Sequence, residues 1–382
     1  MNIVKNYLAY LLAALAVGTF CGPASARASD QVTLFSSALG EERSLEISLP
    51  SRYDDSDERY PVIVVLDGED HAGHMREAVN VRYQDGLPQA IVVGVVSLDR
   101  TRDFTFSASN EAPTGGGADT FLAFLGDELT PYLDQHYRTS GHVTLFGHSA
   151  GGLLGAYALV EVPELFDAII LSSPTVRWDS FSLLPRLDEA LHARTTPVRI
   201  HLAYGNEDGD EGEGFRRLEA MLAAGYDNVD SQSLPDLQES HTTIPYLAAF
   251  RGLRTVFAPF QPEPTLLAGE LAAVEAYYRG VGSEYGVDAR PPQRILLERG
   301  WAQRDAGDLP NAATTFSRFA ELYPGNPMPL VELGGTLELD GQLDAALATY
   351  QRSAEIMIWP PDLPDRIDAL QRRLELDERP RD

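Results

Sequence analysis

The 382-residue sequence predicts an α/β fold with a mostly parallel central sheet, followed by a region that is entirely helical. Three observations support this. From residue 29 to about Pro262, short apolar segments alternate with helical patterns, which is typical of parallel strands joined by crossover helices. After Pro262 only helical patterns remain, and they repeat. One apolar segment also runs directly into a Gly-x-Ser-x-Gly motif and then into a helical segment.

The strand candidates are short apolar runs that end in turn or helix signals. They are residues 44–49, 62–66, 90–96, 143–146, 168–171 and 198–203. Helices are expected at 118–137, 151–160, 214–224 and 244–257. Between residues 106 and 119, a proline and three consecutive glycines predict a surface loop, which is also a candidate lid.

The strand at 143–146 leads into the motif Gly147-His148-Ser149-Ala150-Gly151. Strand, sharp turn and helix form the context of a nucleophile elbow, so we predict that Ser149 is the nucleophile of an α/β-hydrolase. His148 is adjacent to the serine and points elsewhere, so we interpret it as a packing or turn residue. The fold then requires an acid and a histidine later in the chain, in that order.

Three histidines follow Ser149, namely His192, His201 and His241. His201 lies inside the strand at 198–203, and His192 lies on a polar helix. His241 lies in a loop beyond the last predicted strand, where an α/β-hydrolase presents its imidazole. We therefore predict that His241 is the general base.

The acid is expected just after the strand at 198–203. Asp208 follows Gly205 by three residues, a frequent position for the acid of a triad, and the adjacent Glu207 is a rival candidate. For the oxyanion hole, which needs two backbone N–H donors, we predict Ala150 after the nucleophile and Glu69 after the strand at 62–66.

Beyond these residues, the chain resembles the Putative esterase family of α/β-hydrolases, which includes siderophore (enterobactin-type) esterases and is related to esterase D. The stretches that carry the resemblance are YPVIVVLDG at 60–68, IVVGV at 91–95, DRTRDFT at 99–105, DELTPY at 127–132, YRT at 137–139 and SSPTVRWD at 172–179. The resemblance implies a serine esterase with Ser149 and His241 at its centre. Some members work with a Ser-His dyad, so it implies less about the acid.

Two further residues are predicted to contact substrate. Arg100 either binds a substrate carboxylate or phenolate or forms an ion pair with Asp103 or another carboxylate. Trp178 belongs to an element in which the family has two tryptophans, and Arg177 replaces the first of them.

The first 28 residues have the pattern of a secretory signal peptide. Lys5 precedes an apolar run, and small residues at 24, 26 and 28 offer cleavage sites. The only cysteine, Cys21, would be removed with this segment, which excludes disulfides and thiolate metal sites. We expect a periplasmic or secreted bacterial protein that does not insert into the membrane after cleavage and needs neither metal nor cofactor.

The acidic composition, with 57 Asp and Glu against 30 Lys and Arg, argues against nucleic acid as a partner. The predicted domains are the hydrolase at 29–262, a helical linker at 263–290 and helical repeats at 291–382. In the repeats, Gly300, Gly307, Ala312, Phe316 and Ala320 are matched 34 residues later by Gly334, Gly341, Ala346, Tyr350 and Ala354, and 34 residues is the period of tetratricopeptide repeats. Such repeats could bind a protein partner.

The sequence thus favours a secreted serine hydrolase that cleaves carboxylic esters of small molecules, with siderophore-type esters as one substrate class. Two alternatives stay open. One is an acyltransferase on the same fold. The other is a periplasmic binding or scaffold protein without catalytic activity that acts through the helical repeats.

Overall fold

The computed structural model describes residues 29–377 with the exception of 52, 110 and 111. The predicted signal segment, residues 1–28, lies outside the described residues. The chain forms two compact units. The first extends to Gln261 and includes Ser283–Asp288, and the second consists of Pro262–Gly282 and the chain from Ala289 onward.

A single eight-stranded sheet forms the first unit, in the order β1-β2-β4-β3-β5-β6-β7-β8. β1 and β2 pair antiparallel, as do β2 and β4, and every other pair is parallel. The strands are Asp30–Ser36 (β1), Glu41–Ser48 (β2), Tyr60–Leu66 (β3), Ile91–Val95 (β4), Thr139–His148 (β5), Ala168–Ser172 (β6), Val198–Ala203 (β7) and Val229–Ser233 (β8). The predicted α/β fold with a mostly parallel sheet is therefore confirmed.

Helices cover both faces of this sheet. Gly155, in the helix after β5, lies against Ile169 and Leu171, whereas Gly252, in the helix after β8, lies against Ile170. Neighbouring residues of a strand point to opposite faces, so these two helices cover opposite sides. The longer helices of the first unit are Gly68–Gln84, Ala150–Glu161, Leu183–Ala193, Gly209–Ala224 and Ile244–Val256.

The remaining helical segments of this unit are short or irregular. The helix predicted at 118–137 is divided into Ala118–Ala123, a π-helical turn at Phe124–Leu129, and Thr130–His136. Arg100–Phe104 is a short helix after β4, and Tyr53–Asp55 and Ala258–Phe260 are 3₁₀ turns.

Two strands, β1 and β8, were not predicted. Both lie at an edge of the sheet, and their side chains alternate between exposed and partly buried positions. A half-exposed edge strand such as Val229–Ser233, with the sequence VDSQS, has no apolar run to mark it. The buried strands in the middle of the sheet, such as β3 and β4, are the ones whose sequences are apolar throughout.

The second unit is helical throughout its regular structure. Its helices are Pro264–Leu267, Leu271–Tyr285 except for the last three residues, Gln293–Asp305, Leu309–Leu322, Met328–Leu339, Leu343–Ile356 and Leu363–Asp377. Helices Leu309–Leu322 and Leu343–Ile356 begin 34 residues apart. A Cβ added to Gly300 would lie 2.4 Å from the Phe316 ring, and one added to Gly334 would lie 2.5 Å from the Tyr350 ring. Close helix packing therefore repeats with the sequence, although the assignment to the tetratricopeptide family stays a prediction.

Within the described residues, no helix combines the length and the apolar character that a membrane span requires.

Candidate active site

Ser149 occupies a sharp turn between β5 and the helix Ala150–Glu161, with φ 57° and ψ −116°. A side chain disfavours this backbone conformation, which is the strain expected of a nucleophile elbow. Gly147 permits the turn because a Cβ there would lie 2.2 Å from the carbonyl oxygen of Gly151. The Ser149 N–H donates to the carbonyl of Ser172 at 2.9 Å, which anchors the elbow to β6.

His241 and Glu207 form a hydrogen-bonded pair beside this elbow. His241 Nδ1 lies 2.9 Å from Glu207 Oε1. Glu207 follows β7, and the loop carrying His241 follows β8, so the pair lies at the carboxyl edge of the parallel strands, where β5 also delivers Ser149. The bond occupies Nδ1 and leaves Nε2 of the imidazole for a second partner.

Asp208, the other candidate acid, lies outside this pair. Its side chain is exposed, and it precedes the helix Gly209–Ala224 as the N-cap residue, whereas the Glu207 side chain is only 13% exposed. The structure therefore places Glu207, and not Asp208, on His241. Spacing after the strand does not distinguish two neighbouring carboxylates. They differ because the chain turns into a helix at this point, and successive side chains point in different directions.

Ser173 reinforces the Glu207 carboxylate. It is fully buried just after β6, and its hydroxyl donates to Glu207 Oε1 at 2.6 Å, the same oxygen that His241 contacts. Burial acts to raise the pKa of Glu207, but the hydrogen bonds from His241 and Ser173 outweigh it and the net effect lowers the pKa. Glu207 is thus held as a carboxylate, the form that can accept from an imidazole N–H.

Thr175 contacts the predicted nucleophile directly. Its Oγ1 lies 3.3 Å from Ser149 Oγ, and its N–H donates to the Ser149 carbonyl at 3.1 Å. Within the described residues, Ser149 Oγ pairs with Thr175 and not with His241. Ser173 and Thr175 were not singled out from the sequence, although both lie in the SSPT segment that carries part of the family resemblance.

The predicted oxyanion donors lie at the N-termini of two helices. Ala150 begins the helix after Ser149, and Gly68 begins the helix after β3, with Glu69 as its second residue. The first N–H groups of a helix have no partner within it, so those of Ala150, Gly68 and Glu69 can serve an external acceptor. The Glu69 carboxylate accepts from the Ser97 N–H at 3.1 Å. A carboxylate cannot donate, so the predicted oxyanion donor of Glu69 is its main-chain N–H.

Arg100 lies at the same edge of the sheet. Its Nε donates to Asp67 Oδ1 at 2.7 Å, and its side chain is 46% exposed whereas that of Asp67 is almost fully buried. Asp67 directly precedes the helix of the oxyanion turn. The ion pair is therefore formed with Asp67 and not with Asp103, and it holds a half-exposed guanidinium close to the turn.

The other charged residues of the RTRD segment lie in a separate network. Asp103 is 1% exposed and accepts from Arg102 and from the fully buried Arg43, at 2.7 Å in each case. Glu41 pairs with both arginines. This network joins the strand β2 to the short helix Arg100–Phe104.

Trp178 is partly buried, and its indole N–H donates to the Ser107 hydroxyl at 3.0 Å. This bond attaches the loop predicted from its glycines to the segment that follows β6. The next residues, Asp179, Ser180 and Phe181, all have φ between 50° and 64°, in the left-handed region. The structure thus gives Trp178 a role in connecting two segments near the site.

Four histidine side chains, those of His74, His71, His148 and His241, form a series of ring contacts that ends at the proposed base. Ring centroids are 5.2 Å apart for His74 and His71, 5.3 Å for His71 and His148, and 4.5 Å for His148 and His241. Burial lowers the pKa of His71, and it lowers the pKa of His74 to about 4 and of His148 to about 3. Within the described residues, no group of three or more His, Cys, Asp or Glu side chains is arranged to hold a metal ion.

The geometry agrees with what the chain is similar to. The family model described as "Putative esterase" matches residues 36–229, just over half of the chain. The ferri-bacillibactin esterase BesA of Bacillus subtilis is 31% identical over 236 residues, which cover 53% of this chain and 81% of BesA.

Two solved structures are also similar. The BES protein from Bacillus cereus has 29% identity and a TM-score of 0.55, covering 60% of this chain and 95% of that one. An IroE-like serine hydrolase from Shewanella oneidensis has 24% identity and a TM-score of 0.65, covering 77% of this chain and 99% of that one. The latter likeness concerns the fold. The chain belongs to the Putative esterase family of α/β-hydrolases and is a carboxylic ester hydrolase.

Proposed function

We propose that Ser149, His241 and Glu207 are the catalytic triad of this hydrolase. The observation that carries the proposal is the 2.9 Å bond between His241 Nδ1 and Glu207 Oε1 beside the strained Ser149. The carboxylate fixes the imidazole with its proton on Nδ1, which leaves the lone pair of Nε2 free to accept the serine proton. Asp208 is not part of this arrangement.

The reaction begins when Ser149 Oγ turns about χ1 from Thr175 toward His241. Oγ attacks the ester carbonyl carbon while its proton moves to His241 Nε2. The carbonyl oxygen becomes an oxyanion, which we assign to the N–H groups of Ala150 and Glu69. His241 then donates its proton to the leaving alkoxide as the C–O bond breaks. Water cleaves the acyl-enzyme by the same steps and regenerates Ser149.

We further propose that the substrate is a siderophore-type ester. BesA is named for an ester of this kind, and the chain covers most of its length. The half-exposed Arg100, held by Asp67 next to the oxyanion turn, provides a positive charge for a phenolate or carboxylate of the substrate. The signal-like sequence of residues 1–28 supports action in the periplasm or the medium.

The proposal is tested with the wild-type protein, the Ser149→Ala variant and an exposed-serine control, Ser51→Ala. A fluorophosphonate probe should label Ser149, as located by mass spectrometry of the labelled peptide. Hydrolysis of p-nitrophenyl acetate should fall by more than about 10³-fold in Ser149→Ala and stay unchanged in the control. Labelling at another residue, or an active Ser149→Ala protein, would refute the assignment of the nucleophile.

The substrate class is tested by comparing kcat/KM for a catecholate trilactone siderophore, with and without iron, and for short-chain alkyl esters. The expected result is a higher kcat/KM for the siderophore ester. Faster cleavage of the alkyl esters would contradict the siderophore assignment and leave the triad intact.

A further inference from the structure

His148 connects the strand that carries the nucleophile to the loop that carries the base. It is the last residue of β5 and directly precedes Ser149. Its Nε2 lies 2.9 Å from the main-chain carbonyl oxygen of His241, a residue 93 positions later in the chain. This bond holds the backbone of His241, while the Glu207 bond holds its imidazole.

The chemistry of this bond fixes the state of His148. A carbonyl oxygen only accepts hydrogen bonds, so Nε2 must carry the proton and act as the donor. Burial and the neighbouring imidazoles of His241 and His71 lower the pKa of His148 to about 3, with a smaller contribution from Arg100. His148 therefore stays neutral while the adjacent His241 gains and loses a proton.

The loop of His241 has few other attachments near this residue. Asn206 N–H donates to the Glu239 carbonyl at 2.9 Å, and the turn that follows is closed by Ser240 with Thr243. The His241 side chain is 37% exposed. A donor on the adjacent strand therefore restricts the one part of His241 that the carboxylate does not reach, which is its main chain.

We propose that His148 is a positioning residue that fixes the distance between Ser149 and His241 through its bond to the His241 carbonyl. The proposal rests on the catalytic roles proposed for Ser149 and His241. Because the bond joins the two chain segments that carry them, its loss affects the proton transfer between these residues more than the binding of substrate. The effect should therefore appear in kcat.

The test compares His148→Phe, which keeps an aromatic ring but removes the donor, with His148→Gln, whose amide nitrogen can replace Nε2. His192→Phe is the matched control, because His192 is exposed and lies on the helix Leu183–Ala193. Loss of one hydrogen bond predicts that kcat for p-nitrophenyl acetate falls about tenfold in His148→Phe, while KM changes less than twofold. The rate of fluorophosphonate labelling should fall in parallel, and His148→Gln should recover most of both losses.

A His148→Phe protein with wild-type kcat and labelling rate would overturn the proposal, and so would a Gln variant as impaired as the Phe variant. If thermal melting shows that His148→Phe does not fold, His148→Gln is compared with His148→Asn, whose amide is one carbon shorter. A higher kcat for Gln is then expected, and equal rates would overturn the proposal. Ser149→Ala separates the two inferences, because an active Ser149→Ala protein refutes the catalytic assignment itself.

Discussion

The sheet unit and the helical unit differ in the residues that adopt left-handed backbone conformations. In the sheet unit, six residues with side chains have positive φ: Asp67, Ser149, Ser173, Asp179, Ser180 and Phe181. In the described part of the helical unit, only glycines do, Gly307 and Gly341, and both follow helix ends. A left-handed backbone conformation costs a residue with a Cβ about 1–2 kcal/mol of conformational energy, whereas glycine adopts it without this cost.

This difference indicates where a side chain is needed in spite of the strain. Glycine suffices where the chain only has to leave a helix, as at Gly307. In the sheet unit, Ser149 supplies the hydroxyl of the proposed nucleophile, Ser173 bonds Glu207, and Asp67 bonds Arg100. At these three positions, strained backbone that retains a polar side chain thus coincides with the proposed chemistry. Substitutions in the two units should therefore have different consequences.

The largest effect is expected when the acid of the sheet unit is changed. In Glu207→Gln the neutral amide no longer stabilises an imidazolium and permits the wrong tautomer of His241, so kcat for ester hydrolysis should fall roughly 10³- to 10⁴-fold. Asp208→Asn, one residue away and exposed, is the matched control and should stay within twofold. Steady-state kinetics of both variants provides the measurement. A fall of less than tenfold in Glu207→Gln would indicate a Ser-His dyad.

A smaller effect, on stability and not on catalysis, is expected in the helical unit. In Gly334→Ala the added methyl group would lie 2.5 Å from the ring of the buried Tyr350, and such overpacking costs about 1–3 kcal/mol. Gly335→Ala is the control, because its nearest neighbour is the Tyr350 hydroxyl at 3.5 Å. Thermal melting should show destabilisation only in Gly334→Ala, with kcat unchanged in both. A lower kcat in Gly334→Ala would contradict the prediction that substitutions in the helical unit affect stability and not catalysis.

The smallest effect is a difference in acid sensitivity. All eight histidines lie in the sheet unit, and burial lowers the pKa of His201 to about 4 and that of His148, as described above, to about 3. In the unfolded chain, His148 and His201 have a pKa of about 6.5, so between about pH 6.5 and pH 4 the unfolded chain binds more protons than the folded chain. The sheet unit therefore loses stability as the pH falls through this range.

Hydrogen exchange at pH 7.5 and pH 5.5 should therefore show faster opening at the lower pH for peptides of the sheet unit, after correction for the intrinsic exchange rate. Peptides of the helical unit should change little over the same interval. Equal changes in both units would contradict the role of the buried histidines.

The sequence predicts those parts of this fold that are buried and local. The central strands, the elbow at Ser149 and the loop of His241 each have a local pattern, and the alternation of strands and helices fixes their order. Contacts between segments distant in the chain have no such pattern. Glu207 and Asp208 are equivalent in spacing, and the direction of the chain after β7 decides which of them meets His241. The contact of His148 with the His241 carbonyl has no local pattern either, because the two residues are 93 positions apart in the chain.

The buried pair of Arg43 and Asp103 bears on what the RTRD segment signifies. Arg43 is fully buried and pairs with both Asp103 and the more exposed Glu41, so removing Asp103 would take away its one buried counter-charge, at a cost of several kcal/mol. Asp103 and Arg102 of this segment therefore attach the short helix Arg100–Phe104 to β2. The proposal of a substrate contact in this segment concerns Arg100, which pairs with Asp67 and stays half-exposed.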